Sequence, residues 1–223
     1  MRRFLRENSL TVFFLVIFLL TLTAQSQASW RSYVDDQHAH NRPADSYGSY
    51  LVSSDFSAKV MENWQSEFLQ FSLFILATIW LTQKGSSESK QEHEAGLQTD
   101  EEQQVGRHAS AESPRWARLG DWRTTLYSNS LLIAMTTIFF LSWFAQSING
   151  WDQYNANQHE HGQAGVSWTT YLHQPDFWDA TLQNWQSEFL AVGTMAIFSV
   201  YLRQRGSPES KPVGAPHAET GAS

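Results

Sequence analysis

A carboxylate sits beside an apolar run at two places in this 223-residue chain, each time in the same seven-residue motif. Asn63–Leu69 and Asn184–Leu190 both read Asn-Trp-Gln-Ser-Glu-Phe-Leu. The apolar run that starts in each copy covers about 21 Å of a bilayer core about 30 Å thick. Completing the span draws the polar residues of the motif into the outer part of the bilayer. These residues are Gln65, Ser66, Glu67, Gln186, Ser187 and Glu188.

The two carboxylates have three interpretations. An ionisable group at membrane depth is costly and usually faces the interior of a helix bundle with a partner. Glu67 and Glu188 can therefore end polar networks that fix helix packing, which predicts that they are buried equivalents. They can instead serve a proton, ion or quinone function, or lie on a solvated surface. The polar groups at similar depth that can act as partners are Gln25, Ser26, Gln146 and Ser147.

Two His-x-His pairs are the candidate metal ligands: His38, His40, His159 and His161. Four imidazoles on one side of a membrane can bind copper or zinc if the pairs face each other. On a helix, however, the two rings of one pair diverge by about 200°. No apolar run contains a His, which argues against haem between membrane helices. The sequence therefore predicts no metal site and no cofactor.

Composition excludes several classes of function. The chain has no Cys, so disulfides and thiolate metal sites are absent. The net charge of -7 argues against nucleic-acid binding. The sequence contains no phosphate-binding Gly loop, Gly-x-Ser-x-Gly or His-Glu-x-x-His motif. Nothing requires an enzyme, and no catalytic residue is predicted.

Four apolar runs have the flanks of membrane helices. The runs are Leu10–Ala24, Phe68–Leu81, Leu131–Ala145 and Phe189–Leu202. Each is shorter than the roughly 20 residues that cross a bilayer. Aromatic residues nevertheless lie at or near their ends, where an interfacial belt is expected. These residues are Trp30, Trp64, Trp80, Trp143, Trp151, Trp185 and Tyr201.

Basic residues cluster at alternate ends of the runs. Arg2, Arg3 and Arg6 precede the first run, and 146–184 contains no Lys or Arg. The positive-inside rule places both termini and 83–125 in the cytoplasm of a bacterial inner membrane, with the other two loops outside. A cleavable signal peptide is the alternative for the first run. Recurrence of the segment at 126–147 argues against cleavage.

The chain repeats itself with a shift of 121 positions. Residues 5–90 align with 126–211 without a gap, and 34 of the 86 pairs are identical. Each copy contains two apolar runs, so both copies start on the same side of the membrane. The runs lack the alternation of a β-barrel. The predicted fold is an all-α membrane protein with four transmembrane helices, arranged as two tandem parallel helical-hairpin repeats.

Four segments follow from this interpretation. Residues 1–90 form the first two-helix membrane repeat, 91–121 a disordered cytoplasmic linker, 122–211 the second repeat and 212–223 a disordered tail. The whole stretch 83–125 is rich in polar residues, which is typical of a solvated linker.

The helices are predicted to extend beyond the lipid. Trp30, Tyr33, Gln37 and His38 share one helix face. Gly162 is a predicted helix stop. Asp55 and Asp176 are predicted N-caps of the returning helices.

The doubled motif resembles a family of small bacterial membrane proteins identified as a domain of unknown function. The resemblance covers about 2–90 and 123–211. It implies a bacterial membrane protein and brings no activity, ligand or catalytic residue with it.

The leading functional hypothesis is a multi-pass membrane protein with a structural, sensing or interaction role. Its partner is the lipid bilayer, and a homo-oligomer or another membrane protein stays open as a further partner. One alternative is a small proton- or ion-linked transporter with a site between the repeats at Glu67 and Glu188. The other is an extracytoplasmic metal-binding protein that uses the four histidines.

Overall fold

Every regular element in residues 2–221, the part of the chain that the structure describes, is helical. The structure is a computed structural model. Short 3-10 turns lie at Glu92–Glu94 and Gly106–His108. The prediction of an all-α chain is confirmed. The α-helices are α1 (Arg2–Glu7), α2 (Ser9–Ala39), α3 (Tyr47–Leu51), α4 (Ser54–Trp80), α5 (Trp122–Ser128), α6 (Ser130–Glu160), α7 (Trp168–Tyr171) and α8 (Pro175–Tyr201).

Helices α5 to α8 begin at positions 120 or 121 residues after α1 to α4. Helices α2 and α6 each contain 31 residues, and α4 and α8 each contain 27. We call two positions that lie 121 residues apart equivalent. The equivalent residues Asn8 and Asn129 separate the short and long helices, and each side chain donates to the carbonyl four residues earlier, at 2.9 and 2.8 Å. The same local hydrogen bond therefore precedes both long helices.

Two of the described helices, α2 and α6, are long and apolar enough to cross a membrane. The sequence predicts four such helices, so by this criterion α4 and α8 fall short. Both are continuous helices of sufficient length. Their apolar residues are concentrated in the second half, because the first half carries the polar motif and the polar turns before it. Apolar composition, and not helix length, separates the two pairs.

The long helices extend past the apolar runs, as predicted. Helix α2 continues from the end of its run at Ala24 to Ala39, and the predicted face of Trp30 to His38 lies within it. Helix α6 ends at Glu160, and Gly162 follows with a φ of 70°. Glycine adopts this left-handed conformation without the steric cost of a Cβ. The predicted stop is therefore confirmed.

The predicted N-caps of the returning helices are wrong by about two residues. Asp55 and Asp176 lie inside the first turns of α4 and α8. Ser53 caps α4 instead, since its Oγ accepts from the Phe56 amide at 3.3 Å. Pro175 begins α8, where its missing amide hydrogen costs nothing. Both carboxylates still lie beside the positive end of a helix.

The described residues form two compact units, one of 2–60 with 145–168 and the other of 61–144 with 169–221. In the first unit, equivalent tryptophans make the same hydrogen bond. Trp30 Nε1 donates to the Asp45 carbonyl at 3.1 Å, and Trp151 Nε1 donates to the Val166 carbonyl at 2.7 Å. Each bond ties the loop after a long helix back to that helix.

Asp55 is the centre of a polar cluster in the first unit. Its carboxylate accepts from the Tyr50 hydroxyl, the Lys59 ammonium and the Gln153 amide, each at 2.7 Å. Tyr50 is almost wholly buried. Burial, followed by the hydrogen bond and charge of Asp55, raises the pKa of the Tyr50 hydroxyl. The hydroxyl therefore stays a neutral donor across the physiological range.

Candidate functional site

The two copies of the motif lie on α4 and α8 in the second unit, and their polar side chains pair across the two helices. Trp185 Nε1 donates to Gln65 Oε1 at 2.7 Å. Asn184 Nδ2 donates to Glu62 Oε1 at 2.8 Å. The motif therefore joins α4 to α8.

The two motif carboxylates lie close together on the same pair of helices. The Ser66 hydroxyl donates to the Asn63 carbonyl at 2.9 Å and also lies near the Glu188 carboxylate. Glu67 is near enough to act on the charge of Glu188. The structure thus brings together two of the predicted site residues, Glu67 and Glu188, with a serine of the first copy between the helices. These two carboxylates can hold a proton or fix the packing of α4 against α8. Both roles were considered from the sequence.

The copies differ in burial, contrary to the expectation of buried equivalents. Gln65 and Ser66 are 0% and 2% exposed, whereas Gln186 and Ser187 are exposed. Glu67 is exposed and Glu188 is half-buried. Helix α8 turns positions 184, 185 and 188 toward α4. Because successive residues lie about 100° apart, these three positions occupy a different face from 186 and 187.

Aromatic rings hold Trp185 in place for its bond to Gln65. Its ring centroid lies 5.8 Å from that of Trp143 and 6.4 Å from that of Phe139, both on α6. Trp143 Nε1 also donates to Thr181 Oγ1 on α8 at 3.4 Å. Helix α6 thereby restricts the orientation of α8, which aims the indole at the buried amide.

The expected partners of the motif have other contacts in the first unit. The Ser26 hydroxyl bonds to the Tyr47 hydroxyl at 2.6 Å. At the equivalent positions, Trp168 Nε1 donates to Ser147 Oγ at 3.2 Å. The two serines therefore hold the short helices α3 and α7, a role that the sequence did not indicate.

A cleft of about 400 Å³ runs along α4 and α8 just after the motif. Its lining consists of four pairs of equivalent positions, so each copy of the repeat contributes one residue of every pair. Glu67 precedes its α4 lining residues by three, four and seven positions and therefore shares their helix face. Glu188 has the same relation to the α8 lining residues. The pairs are Gln70 and Ala191, Phe71 and Val192, Phe74 and Met195, and Glu88 and Glu209.

Glu88 and Glu209 form a second carboxyl pair at this cleft. Burial raises the pKa of Glu88, and the hydrogen bond and negative charge of Glu209 raise it further. The segments that carry both residues are held together: Ser87 Oγ donates to the Glu209 carbonyl, and Ser86 Oγ bonds to Ser199 Oγ, each at 2.9 Å. The two equivalent carboxyls therefore lie near each other, and the negative charge of Glu209 favours the protonated form of Glu88.

Sequence reasoning missed this pair because it interpreted 83–125 as a solvated linker and the chain after Gly206 as a disordered tail. A signal was present, since Gly-Ser-x-Glu-Ser-Lys occurs at 85–90 and again at 206–211. The local hydrogen bonds repeat as well: Ser89 Oγ accepts from the Gln83 amide at 2.8 Å, and Ser210 Oγ accepts from the Gln204 amide at 2.9 Å. Polar residues that are identical in both copies just after a helix end indicate that this segment is a folded loop.

The four histidines are exposed, and each pair sits at a helix end. His40 Nδ1 lies 2.9 Å from the Asp36 carbonyl, and His161 Nδ1 lies 2.9 Å from the Asn157 carbonyl. Within residues 2–221, no three His, Asp or Glu side chains are grouped to hold a metal ion. Metal binding by the four histidines stays an untested alternative.

Replacing Gln65 and its equivalent Gln186 separately tests the joining role of the motif. Gln65→Ala removes a wholly buried amide and leaves the Trp185 indole without its acceptor, so the free energy of unfolding should fall by about 1–2 kcal/mol. Gln186→Ala changes an exposed residue and should stay within about 0.5 kcal/mol of the wild type. Denaturant unfolding of the purified protein in detergent measures both. An equal loss of unfolding free energy in the two variants would contradict the pairing of Gln65 with Trp185.

A family model described as a domain of unknown function, DUF6766, matches residues 1–222. Searches of curated proteins and of solved structures found no match. The resemblance to a family of unknown function is thus confirmed, and it covers the motif, the cleft and both long helix pairs. The chain belongs to the DUF6766 family.

Proposed function

We propose that this chain is a four-span bacterial inner membrane protein, built from two tandem hairpin repeats, with a structural, sensing or interaction role. In it, the doubled motif joins the returning helices α4 and α8. The observation that carries the proposal is the pairing of Trp185 with Gln65 and of Asn184 with Glu62. Polar side chains that bond to each other between helices act as packing contacts, and no enzyme chemistry is needed to account for them.

The exposure of the apolar helices supports a membrane location. Only 6% of the apolar window of α2 and 22% of that of α6 are buried within the protein. The core helix of a soluble protein would be mostly buried, and a signal sequence does not explain α6, which begins at Ser130. Lipid is the environment in which such exposed apolar surface is stable.

The case for α4 and α8 as further spans rests on length and exposed surface. Each helix of 27 residues is about 40 Å long, which exceeds the bilayer core of about 30 Å. Their polar first turns then stand outside the core. Large apolar side chains in the second half of each helix are exposed: Phe71, Leu73, Leu76, Trp80, Phe189, Leu190, Met195, Ile197 and Phe198.

The orientation follows from the basic residues. With both termini and 83–125 in the cytoplasm, Arg2, Arg3, Arg6, Arg203 and Arg205 all lie on the cytoplasmic side. The Asp55 cluster and the short helix α3 then lie on the outer side.

Reporter fusions test this topology. Fusions after Lys90 and at the C-terminus should report the cytoplasm, and fusions at Arg42 and Gln163 should report the outside, because four spans alternate. A pair of spans made by α2 and α6 alone predicts a different pattern, with positions 42 and 90 on the same side. An external reading at position 90 would therefore remove the four-span scheme.

A proton- or ion-linked transporter is the second candidate, and the proximity of Glu67 to Glu188 favours it. A carboxylate that lies between helices beside a second carboxylate is suited to bind and release a proton. The structural role predicts that the same carboxylate only completes a hydrogen-bond network.

Charge-removing variants in proteoliposomes separate these two candidates. Glu67→Gln and Glu188→Gln keep the shape and much of the hydrogen bonding, so under the structural role both should fold normally and leave any proton flux as in the wild type. Glu112→Gln, on an exposed residue away from the motif, is the control. A wild-type flux that disappears in the two motif variants and persists in the control would establish transport instead.

A further inference from the structure

We propose that the cleft between α4 and α8 binds an apolar organic cation, with Glu88 and Glu209 as its counter-charges. The proposal goes beyond the joining role of the motif, and it requires neither ion flux nor a particular number of membrane spans. It rests on the size of the cleft, on its walls and on an uncompensated negative end, all within the second unit.

The cleft has the size and walls of a small-molecule site. Its volume of about 400 Å³ lies toward the lower end of the roughly 300–1,000 Å³ of such pockets. Phe71, Phe74, Val192 and Met195 supply an apolar lining from both helices. The faces of aromatic rings attract cations, and the thioether of Met adapts to irregular shapes. These walls accept an apolar body that carries positive charge.

The charge at the cleft is negative, and within the described part of the chain no ion pair joins Glu88 or Glu209 to a basic side chain. No Lys, Arg or His is among the lining residues, whereas Glu88 and Glu209 both are. The neighbouring lysines are engaged elsewhere: Lys90 Nζ donates to the Gly96 carbonyl at 3.0 Å, and Lys211 Nζ donates to three carbonyls, the nearest that of Glu219 at 2.8 Å. The negative charge of the carboxyl pair can therefore be compensated by a proton or by a ligand.

A bound cation resolves the unfavourable contact between the two carboxyls. The raised pKa of Glu88 reflects its burial and the nearby Glu209. A positive ligand between the carboxylates stabilises both in the charged form. An anionic ligand would meet repulsion from the same pair, and a neutral one would gain nothing from it. The site therefore selects the cation.

Both copies of the repeat are needed for this site. Each half of the chain contributes one carboxylate and one wall, at equivalent positions. The walls are unequal, since Gln70 faces the cleft from α4 where α8 has Ala191. A larger apolar side chain at position 191 would thus fill the cleft and leave the charge of the cleft unchanged.

Binding of tetraphenylphosphonium to the purified full chain in non-ionic detergent tests the proposal. The wild type should bind about one cation per chain saturably, as measured by equilibrium dialysis. The double variant Glu88→Gln, Glu209→Gln loses both counter-charges and should bind at least about tenfold more weakly. Ala191→Phe should abolish binding by filling the cleft, and Glu112→Gln should bind as the wild type does. Triphenylphosphine oxide, a neutral probe of similar shape, should bind at least about tenfold more weakly than the cation.

Three outcomes overturn the proposal. They are a wild type without saturable binding, a double Gln variant that binds with wild-type affinity, and a neutral probe that binds as tightly as the cation. Melting curves of all variants show which are folded. If the double Gln variant does not fold, Ala191→Phe decides alone, because unchanged binding in that folded variant places the cation elsewhere.

Discussion

The wholly buried amide of Gln65 is the constraint on which the arrangement of α4 and α8 depends. Burying a polar group is costly unless it is hydrogen-bonded; the amide oxygen accepts from the Trp185 indole at 2.7 Å, whereas Nε2 has no hydrogen-bond partner among the described residues. That bond fixes both the rotation and the register of the two helices. The Asn184 contact with Glu62 then follows one turn away. The cleft after the motif lies between the same two helices in the same register, and its lining therefore consists of equivalent pairs.

Identical motifs thus serve different purposes in the two copies. On α4 the glutamine and serine face inward, whereas on α8 the tryptophan, asparagine and glutamate do so. One helix supplies the acceptor amide and the other supplies the donor ring. An arrangement of this kind needs two copies of the motif but not two equal environments. Other parts of the copies stay alike, such as the bonds from Trp30 and Trp151 to their own loops.

Local sequence signals predicted the helices well. The shared face of Trp30 and His38 indicated that α2 continues past its apolar run, and Gly162 marked the end of α6. These features depend on residues close in sequence, where periodicity and glycine conformation decide the outcome. The N-caps of α4 and α8 were misplaced by two residues, because a serine or proline just upstream competes with the aspartate for the helix start.

Features that depend on helix rotation were not predictable from one sequence. The glutamine and serine of the motif are buried on α4 and exposed on α8, and packing of α8 against the aromatic rings of α6 accompanies this difference. The carboxyl pair of Glu88 and Glu209 was not predicted, because polar loops next to helix ends have the same composition as solvated linkers. Apolar composition singles out only α2 and α6 as helices that could cross a membrane.

The pairing of α4 with α8 through the motif is the central claim, and cysteine cross-linking tests it most directly because the chain has no Cys. Glu62→Cys with Asn184→Cys replaces two contacting side chains, whereas Asn63→Cys with Gln183→Cys lies one residue away on exposed positions. With a short thiol-specific reagent in native membranes, the first pair should cross-link within one chain, and the halves should stay joined after cleavage of an engineered protease site in 91–121. The control pair should react far less. Equal reaction of the two pairs, or links only between separate chains, would contradict the joining of α4 to α8.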